Sequence, residues 1–266
     1  MKIINLNIAC GEHFISNNEW VNLDYEAVSP HVTKSDILEN LYYKENSISN
    51  IYTSHFLEHI PLSNLNIFLK KCFKMLSPGG VIRIITPDFH QICRSYLNAV
   101  NNNDKELAQF IKIEMLDQLV RSNVGGSLRN KFNEYIEFDN KKMINFVWER
   151  LGYDLTKSNN PKNLIKKPIY QRIFNKILYT YIRLITNMLP KAFRTSNVKF
   201  TNVGENHTWL WDPVDLSDEL LKAGFSNIKK KDIKESGIKN FPFELDIKDG
   251  HPVKGAQSMC IEAEKK

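Results

Sequence analysis

The chain has little of what marks several large classes of protein. Its 266 residues hold no run of roughly 18 uninterrupted apolar residues, the length a membrane-spanning helix needs. Its four cysteines, Cys10, Cys72, Cys93 and Cys260, lie far apart with no CxxC and no Cys/His ligand spacing. That argues against a disulfide scaffold and gives no zinc site, so no metal is expected. The segment ahead of Cys10 has no room for a basic stretch plus the about 7–15 apolar residues of a leader, so Ile8-Ala9-Cys10 is not read as a lipoprotein cleavage site. A reduced, cytoplasmic protein is the expectation. Arginine is also scarce, 8 of 36 basic residues, and nucleic-acid readers lean on its bidentate fork. The net charge of +6 is therefore a weak pointer to nucleic acid.

What is present is enough for a real core: 42% hydrophobic and 11% aromatic residues. The length fits one large domain, or a core with an insertion. Charge is uneven along the chain. Residues 155–200 hold ten basic residues and no Asp or Glu, while the remainder carries 26 basic against 30 acidic residues. One segment makes the protein basic.

Short apolar strands are expected at 3–9, 20–24, 31–35, 47–54 and 81–86. A helix opens at Pro61, with Leu65, Phe68, Leu69, Cys72, Phe73 and Leu76 at i, i+3, i+4 spacing. Ser77-Pro78-Gly79-Gly80 is expected to stop that helix. A short helix at 216–223 ending in Gly224, then strands at 228–233 and 258–263, repeat the pattern. Alternation of this kind predicts an α/β fold with a doubly wound, mostly parallel sheet. Between the two parts, 91–205 reads as a helical, basic insertion that lids the sheet, with helices near 92–101, 104–121 and 168–189 and a connector at Ser158–Lys167. In the last helix, Tyr170, Ile173, Phe174, Ile177, Leu178, Tyr181, Ile185, Met188 and Leu189 share one face, and Arg172, Lys176 and Arg183 lie toward the other. That face could lie in a bilayer interface, but packing onto the sheet or a second subunit is the stronger expectation.

A small-residue turn after the first strand, an acid ending the second and another acid after the third suit a nucleoside cofactor bearing a sulfonium. Ala9-Cys10-Gly11, Asp24 and Asp36 stand in that order. Asn7-Ile8-Ala9-Cys10-Gly11, Trp20-Val21-Asn22-Leu23-Asp24, Asp36-Ile37-Leu38, His55-Phe56-Leu57-Glu58-His59-Ile60 and Leu76–Arg83 together resemble class I S-adenosylmethionine-dependent methyltransferases. Leu220–Phe225 and Ser258–Lys265 resemble that fold's last helix and strands. Within the family the likeness is to small enzymes of bacterial surface-polysaccharide (capsule or O-antigen) biosynthesis.

The resemblance implies a seven-stranded Rossmann-like sheet with its last strand antiparallel. Residues 1–90 would form the cofactor-binding half of the core, 91–205 the substrate lid and 206–266 the rest of the core. It implies S-adenosylmethionine as cofactor, S-adenosylhomocysteine as product, and contacts from Asn7, Ala9, Cys10, Gly11, Asp24, Tyr25, Asp36, Ile37, Leu38, Ser54, His55 and His59. Asp24 would take the ribose, and Asp36 with Ile37 the adenine. Local roles compete: a loop cap for Asp24, an N-cap before Leu41 for Asp36, and a helix start for Glu58-His59. The family usually has an acid where Asn7 stands and glycines where Ala9 and His13 stand. Only 13 residues separate Gly11 from Asp24, so the first connecting helix must be a stub.

A hydroxyl acceptor has to lose a proton, and His90, His207 and His55 are the candidate bases in that order. Ser54-His55-Phe56-Leu57 stands where amino-methylating nucleic-acid enzymes of this fold carry Asn/Asp-Pro-Pro-aromatic, which disfavours DNA. The expected acceptor is an oxygen of a surface-polysaccharide precursor: a sugar hydroxyl, or a phosphate- or phosphoramidate-type oxygen, on a small or nucleotide-linked sugar. Alternatives are an RNA methyltransferase using the basic insertion, and a non-catalytic cofactor-binding relative. The basic segment would face a solvent, phosphate or anionic-membrane partner, and a homodimer is open.

Overall fold

The computed structural model describes residues 4–27, 29–156, 169–248 and 250–266. Five strands, β1 (Asn5–Ile8), β2 (Trp20–Asp24), β3 (Val32–Lys34), β4 (Ile48–Ser54) and β5 (Leu76–Pro87), pair in parallel. After β6 (Ser226–Lys231), a small hairpin of β7 (Ile247–Lys248) and β8 (His251–Pro252) precedes β9 (Ser258–Glu264). β9 slots antiparallel between β5 and β6, giving a seven-stranded sheet in the order β3-β2-β1-β4-β5-β9-β6. Residues 81–86 of β5 are all buried, as a central strand covered on both faces requires.

One face is covered by helices. α1 (Leu62–Met75) buries Leu65, Phe68, Leu69, Cys72 and Met75 on a single stripe. α1 ends at Met75, just ahead of Ser77–Gly80, as those turn residues suggest, but no loop follows. The chain enters β5 directly at Leu76, because those residues find ladder partners: Leu76 pairs with Ile48, and Gly79 N donates to the Lys265 carbonyl. Helix α8 (Pro213–Ala223) packs beside α1 and adds Leu216 and Leu220 to the same core.

The other face has a different cover. Ile15, Trp20, Tyr52, Val81, Ile85 and Cys260 pack under Ile238, Phe241 and Leu245, a segment without α-helix. Arg83, fully buried, fastens it: Nε and Nη2 donate to Asp246 Oδ2 at 2.9 and 2.7 Å, and Nη1 to Glu262 Oε1 at 2.9 Å. The link from β1 to β2 contains no helix; Asn22 and Asn7 hold that loop, through Ile15 and His13.

Between β5 and the last part of the sheet come α2 (Phe89–Asn101), α3 (Lys105–Val120), α4 (Gly126–Glu137), α5 (Lys141–Leu151), α6 (Ile169–Met188) and α7 (Lys191–Asn197), then α8 (Pro213–Ala223). α2 to α5 enclose their own core around Phe110, Leu128, Tyr135, Met143 and Val147. The connector Ser158–Lys167 and the Arg172 side chain lie outside the described residues.

Candidate functional site

In a parallel sheet the strand ends on the carboxyl side share one edge, and ligands bind outside it. Here that edge carries Ala9-Cys10-Gly11, Asp24, Asp36, Ser54-His55 and Pro87-Asp88. Three of its residues leave the ladder in the left-handed region: Ala9 (φ 55°), Gly11 (φ 54°) and His55 (φ 52°). For Ala9 and His55 this backbone is costly, and such strain gathers at functional edges. A Cβ on Gly11 would meet nothing within 4 Å, so open space lies beside that turn.

Asp24 ties the edge together. Its Oδ2 accepts from Gly11 N at 2.8 Å and its Oδ1 from Glu26 N at 3.0 Å. A carboxylate has about four acceptor positions, so two remain for a ligand. Asp24 O also accepts from Ser35 N, which brings Asp36 to the neighbouring strand end. Asp36 Oδ1 accepts from Leu38 N and Glu39 N at 3.2 and 3.3 Å, the local capping role. It nonetheless lines a cavity of about 720 Å³ with Leu23, Tyr25, Tyr42 and Tyr43. Ile37 is in the core, and Leu38 is half-buried with its carbonyl accepting from Lys71 Nζ. Asn7 is buried, and its amide donates to His13 O and Asn22 Oδ1, so it shapes the turn from behind. Burial and then the charge of Asp24 push the Cys10 thiol up to about 12, which makes it inert at neutral pH.

Beside this edge, at the end of β4, stands a cluster of ionisable groups. Glu58, in a 3-10 turn at Leu57–His59, is wholly buried. Its Oε2 accepts from Thr86 Oγ1 at 3.2 Å, and its Oε1 lies 3.2 Å from His55 Nδ1, at ion-pair distance though off the line of a full hydrogen bond. The other ring nitrogen of His55, Nε2, is 2.9 Å from Ser258 Oγ. Burial opposes the Glu58 charge, but His55, His59 and His207 outweigh it and hold the carboxyl at about 2. Burial likewise holds His207 at about 4 against the pull of Glu58. His207 Nδ1 has no hydrogen-bond partner among the described residues, and its ring meets that of His59 edge-on at 4.9 Å. His59 Nδ1 is 2.9 Å from the Asn206 carbonyl oxygen.

Glu58, His59 and His207 place donor atoms within 4.8 Å of one another, the set among the described residues that can hold a divalent cation. Spacing could not reveal it, because His207 arrives from the far end of the insertion.

A second cavity of about 380 Å³ opens between the sheet and the insertion, lined by His55, Ser258, His207, Lys254, Arg121, Arg129 and Arg150 among others. Two of its arginines are committed: Arg150 Nε donates to Glu114 Oε2 at 2.6 Å, and Arg121 pairs with Asp117 and Glu205. Arg150 Nη2 is nonetheless buried without a partner, and Arg129 pairs with no carboxylate among the described residues. Lys254 sits in electrostatic reach of Glu58, Glu12 and His13, between the first turn and this cavity. Neither Arg129, Arg150 nor Lys254 carries a motif that would single it out in sequence.

The candidate histidines thus divide. His55 and His207 line the cavity, whereas His90 is exposed on the first turn of α2 and outside that lining.

The strand order and the antiparallel β9 define a Rossmann-like sheet of the methyltransferase type, as the resemblance implies. No protein-family model and no curated protein matches the sequence. Among solved structures, it is similar to a SAM-dependent methyltransferase of Archaeoglobus fulgidus (14% identity, 99% of this chain and 86% of that one, TM-score 0.40). It is similar to a SAM-dependent methyltransferase of Thermotoga maritima described as a possible histamine N-methyltransferase (12%, 99% and 82%, TM-score 0.39). A possible exported protein of Bordetella parapertussis is a third (9%, 99% and 63%, TM-score 0.41). Similarity of this size leaves the chemistry to be argued from the chain's own geometry.

Proposed function

We propose that this chain is an S-adenosylmethionine-dependent methyltransferase acting on an oxygen of a small anionic acceptor, of the kind found in surface-polysaccharide precursors. The observation that carries this reading is His55, set between a buried carboxylate and a hydroxyl at the mouth of the 380 Å³ cavity. The cofactor edge fits the group it would hold: Asp24 keeps free acceptor positions for ribose hydroxyls, the cavity lined by Asp36, Tyr25 and Tyr42 has room for a flat base, and the open turn at Gly11 admits the methionine end. Lys254, within electrostatic reach of Glu12 and His13 in that loop, suits the methionine carboxylate. When bound, S-adenosylmethionine supplies a methyl group already activated by its sulfonium, so the protein's work is chiefly positioning.

The chain's own residues do the rest. Glu58 favours the tautomer of His55 with its proton on Nδ1, leaving the Nε2 lone pair toward the cavity. Ser258 Oγ now occupies the place where an acceptor hydroxyl would stand. An acceptor hydroxyl standing there would give its proton to Nε2 as its oxygen is methylated, and Glu58 would stabilise the imidazolium. Unpartnered guanidinium hydrogens of Arg150, with Arg129 at the wall, favour an acceptor bearing phosphate or carboxylate.

The test is turnover with S-adenosylmethionine across a panel of nucleotide sugars and phosphorylated heptoses, read as S-adenosylhomocysteine. Acceptor-dependent product with an anionic sugar is the expected result. Product only with RNA, or cofactor binding without turnover on any acceptor, overturns it.

A further inference from the structure

The most unusual surface of the molecule is α6, and it lies apart from both cavities just described. Over the described residues Ile169–Met188, large apolar side chains are exposed along its whole length: Ile173, Phe174, Ile177, Leu178, Tyr181 and Ile185, each at least 43% accessible. At 100° per residue these six fall on one broad arc. The expectation that this face packs onto the sheet is not met, since every one of these side chains stays exposed.

The body holds the helix by its other side. Thr186 is buried, and Tyr179, Arg183 and Asn187 line a crevice with Ser122, Asn123, Arg194 and Phe200. The apolar arc is thereby turned away from the protein. In a helix packed on its own core the orientation is the reverse.

Charge indicates what covers this face. Lys176 and Arg183 border the arc on its polar side, and Lys191, Arg194 and Lys199 follow immediately. No acid occurs anywhere from 155 to 200, although the rest of the chain is net negative. An apolar arc with tyrosine and phenylalanine, flanked only by cations, is the composition of a helix lying in a bilayer interface. The twenty residues are not apolar enough to cross a membrane, and no helix among the described residues is. A second copy of the chain fits less well, because it would bring to the seam another segment of the same charge without one carboxylate to oppose it.

We infer that α6 and the basic turns after it dock the protein in the plane of an anionic lipid bilayer, apolar arc down, with the two cavities left open to the aqueous side. This reading is independent of the methyl-transfer chemistry and stands or falls without it.

The experiment is co-sedimentation of the full chain with vesicles of phosphatidylcholine containing about a third phosphatidylglycerol, and with phosphatidylcholine alone. The F174E/I177E double variant changes exposed side chains only, so it is expected to keep the fold, which circular dichroism checks. K176Q/R183Q serves as the charge variant. Binding to the anionic vesicles, at least roughly fivefold above the neutral ones, weakened by salt on the order of 0.5 M and lost in F174E/I177E, is the expected result. Equal binding to both vesicles, or an F174E/I177E variant that sediments like the parent, overturns it. So does a concentration-dependent dimer, seen by analytical ultracentrifugation and dissolved by F174E/I177E, in a chain that leaves the vesicles in suspension.

Discussion

His55 Nε2 lies 2.9 Å from Ser258 Oγ, joining the end of β4 to the first residue of β9 across the carboxyl edge of the sheet. The two residues are 203 apart in sequence, and the contact exists only because β9 returns antiparallel beside β5. On the proposed reading the hydroxyl is displaced by the acceptor. Replacing His55 with Gln is therefore expected to lower turnover by about 10²–10⁴-fold while leaving cofactor affinity unchanged. Single-turnover methyl transfer and calorimetry together decide this, and a full-rate H55Q enzyme removes the residue as base.

Asp24 serves two purposes that substitution separates. Its Oδ2 fixes the Gly11 turn, and its remaining acceptor positions are assigned to ribose. D24A is expected to weaken S-adenosylhomocysteine binding by about 1–3 kcal/mol, as when hydrogen bonds to a charged group are lost. D24N retains an acceptor for Gly11 N, so it should preserve thermal stability better than D24A while still losing affinity. Unchanged affinity in both variants would remove the ribose role.

Arg129 is the exposed guanidinium of the acceptor cavity that lacks a carboxylate partner among the described residues. R129Q is expected to raise KM for an anionic acceptor by about tenfold, the loss of one charge-assisted contact, with little change in kcat. A neutral acceptor should show no such rise. Equal KM values for the two enzymes would locate acceptor recognition elsewhere.

The sheet was legible because its signals are local. β2 falls at 20–24 as its apolar run and terminal acid suggest, and α1 follows its i, i+3, i+4 stripe. α4 carries no local start signal because its first turn is capped from a distance: Asp117 of α3 accepts from Ser127 N at 2.6 Å and Leu128 N at 3.4 Å, while Gly125 and Gly126 resemble a loop. β5 begins five residues before its apolar run because Leu76 pairs with Ile48 of β4 and Gly79 and Gly80 pair with Lys265. In the site, Glu58 reads as a helix-start acid, yet it is fully buried beneath three histidines, one of them nearly 150 residues downstream. Single-position patterns carry no trace of such a meeting.

Arg83 shows how far the sheet depends on one buried cation. Besides Asp246 and Glu262 it donates to the Glu235 and Ile233 carbonyls, and its guanidinium lies 4.7 Å from the Phe241 ring centroid. R83M removes the cation and leaves two carboxylates buried without it. The expected cost is about 3–5 kcal/mol, seen as an earlier denaturant midpoint. Since Asp246 also accepts from Tyr52 Oη at 2.6 Å, the whole 233–246 cover should loosen together, with faster amide exchange there than in α1. A variant as stable as the parent would show that the apolar contacts of Phe241 and Leu245 hold the cover alone.

Acid should destabilise the protein in a window set by its buried histidines. Burial holds His207 at about 4, below its ordinary value near 6.5, and burial with Lys254 and Lys248 does the same to His13. The unfolded chain then binds more protons than the folded one between these limits, so stability rises with pH. It is complete above about 6.5 and is lost as pH falls toward 4, with a slope of up to about 1.4 kcal/mol per pH unit for each histidine. Glu58, held at about 2 against an ordinary 4.5, extends the loss below that window with the same sign. Denaturant midpoints measured from pH 7 to pH 4 should therefore decline steadily. H207N, which cannot take the proton, should flatten the decline by one histidine's share, whereas H90N, changing an exposed ring, should leave it as it was. If H207N retains the full slope, His207 is not the buried neutral group that its surroundings require.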